Sequence, residues 1–272
     1  MRNINKLGDI EENRYVFILG ITQRSGTNFL IKLLEENNNI KLSSHPGEDF
    51  LVYSGDYLLQ HFKTLASKWN DTWVGMDRAK RIEQYKMEIR KSILNYLRPD
   101  EKLKKNEFCV TKTPSAKNIN KFFELFPNSK LVVLIRNGKN VVESCVKGFG
   151  WSYYQSMKNY KENANYLKEF LQEQKDNRNF TLVKYEDLVS AKEETLKSLF
   201  KNLNIDDENY NYTTDIPIYG SSFLKEKGKI TWDPQTPKTD FNPLDRSKDW
   251  SVFREMQYKF MCGDVHNYFG YK

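Results

Sequence analysis

The 272-residue chain has only three cysteines, Cys109, Cys145 and Cys262, and no CxxC spacing among them. That scarcity excludes a disulfide scaffold and a cysteine-ligated metal, and it fits free thiols in a reducing compartment. Internal repeats, low-complexity tracts and linker-like segments are also missing, so one sizeable domain over residues 1–272 is expected. The opening segment, MRNINKLGDIEENR, has no apolar core of signal-peptide length, and no stretch approaches the roughly 20 apolar residues of a membrane span. The cytoplasm is therefore the expected location. Charge excess is small: 43 basic against 36 acidic residues, net +7, mostly scattered and interleaved. Solvated helix faces account for most of it. No nucleic-acid surface is required, whereas a small anionic ligand needs only a few of these charges.

A nucleoside-triphosphate P-loop is absent too, although its surroundings are present. Residues 15–34 read YVFILGITQRSGTNFLIKLL. The apolar run 15–19 suits a buried strand, Gly20 breaks it, and a polar turn follows. Phe29, Leu30, Leu33 and Leu34 then recur at helical spacing. Such a strand, turn and helix start hold a phosphate-like anion on backbone N–H groups and the helix dipole. Yet five residues, not four, separate Gly20 from Gly26, and Thr27 stands where a P-loop has its lysine. The cation comes earlier, as Arg24, with Ser25, Thr27 and Asn28 as further donors. The plain alternative is an ordinary turn capped at Thr27 or Asn28.

The R-S-G-T-N sequence resembles the 5′-phosphosulfate loop of sulfotransferases, which use 3′-phosphoadenosine 5′-phosphosulfate (PAPS). The arginine version is similar to the tyrosylprotein and many bacterial enzymes, with Asn28 in place of a second threonine. The resemblance implies that Arg24, Ser25, Gly26, Thr27 and Asn28 bind the cofactor.

A short strand is expected at 40–43, running into S-H-P-G-E-D-F. Transfer to a hydroxyl needs a base near the attacking oxygen, and His45 or Glu48 would serve. Tyrosylprotein sulfotransferases end this strand in a glutamate. An ungapped count from R-S-G-T puts that position on His45, and the local G-E pattern puts it on Glu48. Alternatively, either residue caps a helix starting near Asp49. Residues 51–99 read as mostly helical, and 51–105 as a helical insertion, either a packed layer or a lid over the acceptor.

Residues 108–112 form the next expected strand, and a lysine ending an apolar strand is unusual without a partner. Sulfotransferases commonly show K-T-H or K-x-P here, which implies that Lys112 reaches the oxygen bridging the sulfuryl group and the departing phosphate, and that Arg24 acts with it as a catalytic residue on the charge developing there. The catalytic histidine of the cytosolic animal enzymes is missing, since Thr113 and Pro114 follow. The base must come from elsewhere.

Residues 130–136 make the clearest strand, a continuous apolar run that ends in Arg136. A kinase would often place a magnesium-binding aspartate there; an arginine prepares for an anion instead. The 3′-phosphate motif of sulfotransferases, R-D-G-R-D-V-V-x-S, sets its arginine and serine eight positions apart, as Arg136 and Ser144 are. Asn137, Lys139 and Asn140 depart from it at structural or peripheral positions. A single aromatic-rich helix is expected over 149–170, then a strand at 180–184 leading into Y-E-D-L. The resemblance puts Tyr185 near the adenosine and implies further contacts from Ser221, Ser222, Arg246 and Lys248, ahead of a final helix. Trp250 belongs to that last segment, although the R-K-G triplet of the cytosolic enzymes is absent.

Strands alternating with helices predict an α/β protein. The resemblance implies a P-loop-like sulfotransferase fold, with a mainly parallel central sheet flanked by helices. The implied reaction carries a sulfuryl group from PAPS to a hydroxyl or amine of a small-molecule acceptor and releases adenosine 3′,5′-bisphosphate (PAP). No metal, membrane or nucleic acid is expected to take part. Carbohydrate or tyrosyl-peptide acceptors are alternatives, as are a nucleotide kinase and a PAP-binding protein without catalysis. Oligomeric state is not readable.

Overall fold

The computed structural model describes residues 11–44, 47–74, 77–99, 102–174, 176–214, 216, 224–226, 229–231 and 242–271. The chain runs β1 (Tyr15–Gly20), α1 (Thr27–Glu35), β2 (Ile40–Leu42), α2 (Gly55–Lys68), α3 (Asp71–Val74) and α4 (Arg78–Leu97). It continues β3 (Phe108–Thr113), α5 (Phe122–Leu125), β4 (Lys130–Ile135), α6 (Gly138–Phe149), α7 (Tyr153–Gln174), β5 (Phe180–Lys184), α8 (Tyr185–Ser190) and α9 (Lys192–Leu203). A short antiparallel pair, β6 (Leu224–Glu226) and β7 (Lys229–Thr231), precedes α10 (Val252–Tyr268).

Among the described residues the main sheet has five strands in the order β2-β3-β1-β4-β5, and every pairing is parallel. A parallel sheet must be covered on both faces, which is why β1 and β4 are apolar without alternation. All six residues of β1 are buried. Phe17 and Leu19 face one cluster, with Phe122, Met157, Tyr160 and Cys262 from α5, α7 and α10. Leu59, Phe62, Leu94 and Leu97 bring α2 and α4 into that same cluster. Val16 and Ile18 face the other, with Leu30 and Leu34 of α1 and Leu199 and Phe200 of α9. Adjacent residues of a strand point to opposite faces, so one run of sequence feeds both cores.

Three boundaries differ from expectation. The helix placed near Asp49 starts at Gly55, because Asp49 pairs with the end of β3: its N–H donates to the Lys112 carbonyl at 3.0 Å. The single helix over 149–170 is two, since Gly150 adopts φ +70°, caps α6 and turns the chain before α7. The first helix starts at Thr27, with Gly26 at φ +99° as its N-cap. No described helix is long and apolar enough to cross a membrane.

Candidate active site

In an open parallel sheet, loops at the carboxyl ends of the strands meet where the chain reverses its direction across the sheet. Here β1 lies between β3 and β4, so the loops after all three converge. The loop after β1 is tight. Ile21 N–H continues the ladder to Leu134, and the Ser25 hydroxyl donates to the Thr22 carbonyl at 2.6 Å. That bond ties the buried side chain of Ser25, one of the expected cofactor contacts, into the turn. From α7, Asn159 donates to Thr22 Oγ1 (2.6 Å) and Gln23 Oε1 (3.1 Å) and pins the loop from outside. Arg24 has φ +70° and Gly26 has φ +99°. A Cβ on Gly26 would lie 2.3 Å from the Tyr185 ring, so only glycine fits. Thr27 is buried and Asn28 exposed in the first turn of α1.

Arg24 and Ser144, assigned by resemblance to the two ends of the cofactor, touch: Arg24 Nε donates to Ser144 Oγ at 2.9 Å. The Arg24 guanidinium also lies 5.4 Å from the Phe149 ring. Arg136, directly after β4, is 5 % exposed. It donates through Nη1 to the Arg24 carbonyl at 3.0 Å and through Nη2 to the Pro243 carbonyl, and its guanidinium stacks 4.3 Å from the Tyr185 ring. Its Nε is buried with no hydrogen-bond partner. Tyr185 is itself buried, wedged between Gly26 and Arg136. Burial lowers the pKa of Arg24, and the charge of Arg136 adds to the effect. Burial also lowers that of Arg136. Arg246 is pushed down to about 10 by burial, then by Arg136 and Arg24. The site thus gathers mutually repelling cations.

The residues that depart from the 3′-phosphate motif have structural work. Asn137 caps α6 by accepting from Lys139 N–H at 3.0 Å. Asn140 holds the C-terminal segment: Nδ2 donates to the Leu244 carbonyl (2.8 Å), and Oδ1 accepts from the backbone N–H groups of Arg246 (3.0 Å) and Ser247 (3.3 Å). Trp250 Nε1 donates to Glu143 at 2.7 Å and ties the same segment to α6. Arg246 is thereby set beside Arg136, while Lys248 is exposed.

At the end of β3, Lys112 Nζ lies 2.9 Å from Glu48 Oε1. Of the two candidate bases, Glu48 meets the lysine; His45 lies outside the described residues, as do Ser221 and Ser222. Asp49, which sequence reasoning passed over, accepts from Thr111 and Thr113 on β3. Its partners are 62 and 64 positions away, and no local pattern announces them.

A model of the sulfotransferase family matches residues 15–209. Among solved structures, the sulfotransferase domain from the curacin biosynthetic pathway superposes with a TM-score of 0.59 at 18 % identity, covering 94 % of this chain and 97 % of that one. The sulfotransferase domain of the Synechococcus PCC 7002 olefin synthase gives 0.53 at 14 % identity, covering 98 % of each chain. A Mycobacterium avium sulfotransferase gives 0.50 at 12 % identity, covering 98 % of this chain and 79 % of that one. At these identities the structural likeness is one of fold. No curated protein matches. The family match takes in the loop after β1, Lys112, Arg136, Ser144 and Tyr185, and on it the chain belongs to the sulfotransferase family.

Proposed function

We propose that the protein is a PAPS-dependent sulfotransferase that acts on a hydroxyl or amine of a small metabolite or natural product and releases PAP. One observation carries the reading: Arg24, Arg136 and Arg246 converge around Tyr185, with Arg136 and Arg24 depressing the pKa of Arg246. Cations held together against their own repulsion suit a ligand with several negative charges. The buried Nε of Arg136 offers a donor still to be used, and Gly26 lets the backbone approach Tyr185 closely.

In this reading Arg136 and Ser144 hold the 3′-phosphate, and Arg246 adds charge beside them. Arg24, Thr27, Asn28 and the backbone N–H groups opening α1 take the phosphosulfate end, and Tyr185 lies along the adenosine. PAPS supplies an activated sulfuryl group. Lys112 offsets negative charge on the bridging oxygen, a preorganised contribution of about 3 kcal/mol. Glu48, in contact with Lys112, receives the acceptor's proton. A protein that only stored PAP would have no need of Lys112. Free thiols at Cys109, Cys145 and Cys262 accord with a cytoplasmic setting.

Calorimetric titration with PAP, followed by a screen of phenols, amines, sugars and a tyrosyl peptide with PAPS, tests the reading through bisphosphate release. Failure to bind PAP, or nucleotide binding that requires magnesium, would overturn it.

A further inference from the structure

We propose that Asp49 is a positioning residue, a carboxylate lock that fixes the register of the chain after β2 so that Glu48 meets Lys112. Its value for sulfuryl transfer rests on the function proposed above; the lock itself rests on geometry.

β2 pairs with β3 as far as Leu42 opposite Val110, and Ser43 N–H still reaches the Val110 carbonyl at 2.9 Å. Alignment with β3 resumes at Asp49, whose N–H donates to the Lys112 carbonyl at 3.0 Å. Along a strand, Thr111 and Thr113 share one face and Lys112 takes the other. The returning chain matches that alternation. Glu48 lies 2.9 Å from Lys112 Nζ, whereas Asp49 Oδ2 accepts from Thr111 Oγ1 at 2.8 Å and Oδ1 from Thr113 Oγ1 at 2.9 Å. Two adjacent carboxylates are therefore sent to opposite faces. A slip of one residue would exchange them.

Donor bookkeeping shows why the slip is opposed. Both threonines are buried, at 2 % and 0 % exposure, so each hydroxyl needs a partner inside the protein. The Thr113 hydroxyl donates to Asp49 and accepts from Phe50 N–H at 2.9 Å, and Leu51 N–H donates to Asp49 Oδ1 at 2.9 Å. Asp49 collects three uncharged donors on its two oxygens, all from the protein itself. Phe50, next in line, is held at φ +48°, a region a bulky side chain avoids. Such strain persists where the surroundings over-determine the backbone, and here Asp49 and Phe50 are pinned to the same hydroxyl.

A loop staple with no bearing on Glu48 would share these bonds, so the test must read the Glu48–Lys112 contact. Lys112 is 15 % exposed in its side chain, and slow acetylation by acetic anhydride, followed by peptide mass spectrometry on the full chain, reports that contact. Asp49→Ala should raise the Lys112 acetylation rate severalfold, to the level of Glu48→Ala. The double variant should go no higher, because both changes break one contact. PAP affinity, reporting an intact fold, should stay within about twofold throughout. With an acceptor in hand, Asp49→Ala should lower kcat as much as Glu48→Ala does and leave the KM for PAPS unchanged. Should Asp49→Ala fail to fold, Asp49→Asn and Thr111→Val loosen the same lock with less loss of volume and are read identically. A Lys112 rate equal to the native one in these variants, or rates that multiply in the double variant, would overturn the proposal. A native chain that does not bind PAP would sink the transferase reading and leave the labelling result standing.

Discussion

Replacing Arg136 with alanine probes the most buried cation of the site. Its guanidinium serves the carbonyls of Arg24 and Pro243 and stacks on Tyr185. Truncation leaves two carbonyls to find other donors, at about 1–3 kcal/mol each if they stay dry, so a lower Tm is expected. For binding, a charge-assisted hydrogen bond contributes about 1.5–3 kcal/mol, a factor of about 10–150. That factor should fall on PAP, which has a 3′-phosphate, and spare adenosine 5′-monophosphate, which has none. The assay is paired calorimetry of the two nucleotides at one ionic strength, since screening would otherwise blur the comparison. Native protein should prefer PAP strongly, and Arg136→Ala should erase most of the preference while changing monophosphate affinity less than about threefold. Arg136→Lys, which keeps the charge but not the planar fork, should fall between. Equal losses for both nucleotides would mean that Arg136 only props up the Pro243 segment, and the 3′-phosphate assignment would be refuted.

Lys112→Ala should cut turnover by roughly 10²–10³ and leave PAP affinity nearly unchanged, because the lysine acts on charge that develops during transfer; a normal kcat with a confirmed acceptor would remove Lys112 from the mechanism. Gly26→Ala adds a Cβ 2.3 Å from Tyr185 at φ +99°, so PAP binding should be lost or fall at least tenfold in titration. Burial pushes Cys109, Cys145 and Cys262 each up to about 12, so native protein should resist iodoacetamide at pH 8 and alkylate fully in urea. The same shifts set a sign for stability. Above pH 9 the unfolded chain releases these thiol protons while the folded chain keeps them, so denaturant midpoints should fall between pH 9 and 12.

Legibility in the sequence followed the range of each interaction. The strand, loop and helix over 15–34 could be read because each is encoded by its own residues, and the run ending in Arg136 is apolar enough to be a central strand on any reading. Spacing placed Arg136 and Ser144 on one turn and helix, but not the 2.9 Å contact of Ser144 with Arg24. The helix over 149–170 was misread because the aromatic pattern runs through Gly150, where one backbone angle outweighs it. His45 and Glu48 could not be ranked by counting, since register depends on where the chain rejoins β3. The Asp49 bonds and the Asn140 latch join positions more than sixty apart, beyond any local signal.

The position of β1 also constrains how the protein is made. Of the described strands, the earliest in sequence is the middle of the sheet, and both its neighbours, β3 and β4, come later from distant sequence. Until residue 113 has emerged both edges of this buried strand wait unpaired, and until residue 135 one still does. Closing those two long intervals is entropically slow, and an open apolar edge pairs readily with other chains. Chains truncated before β4 should therefore be recovered as aggregates rather than as smaller folded units.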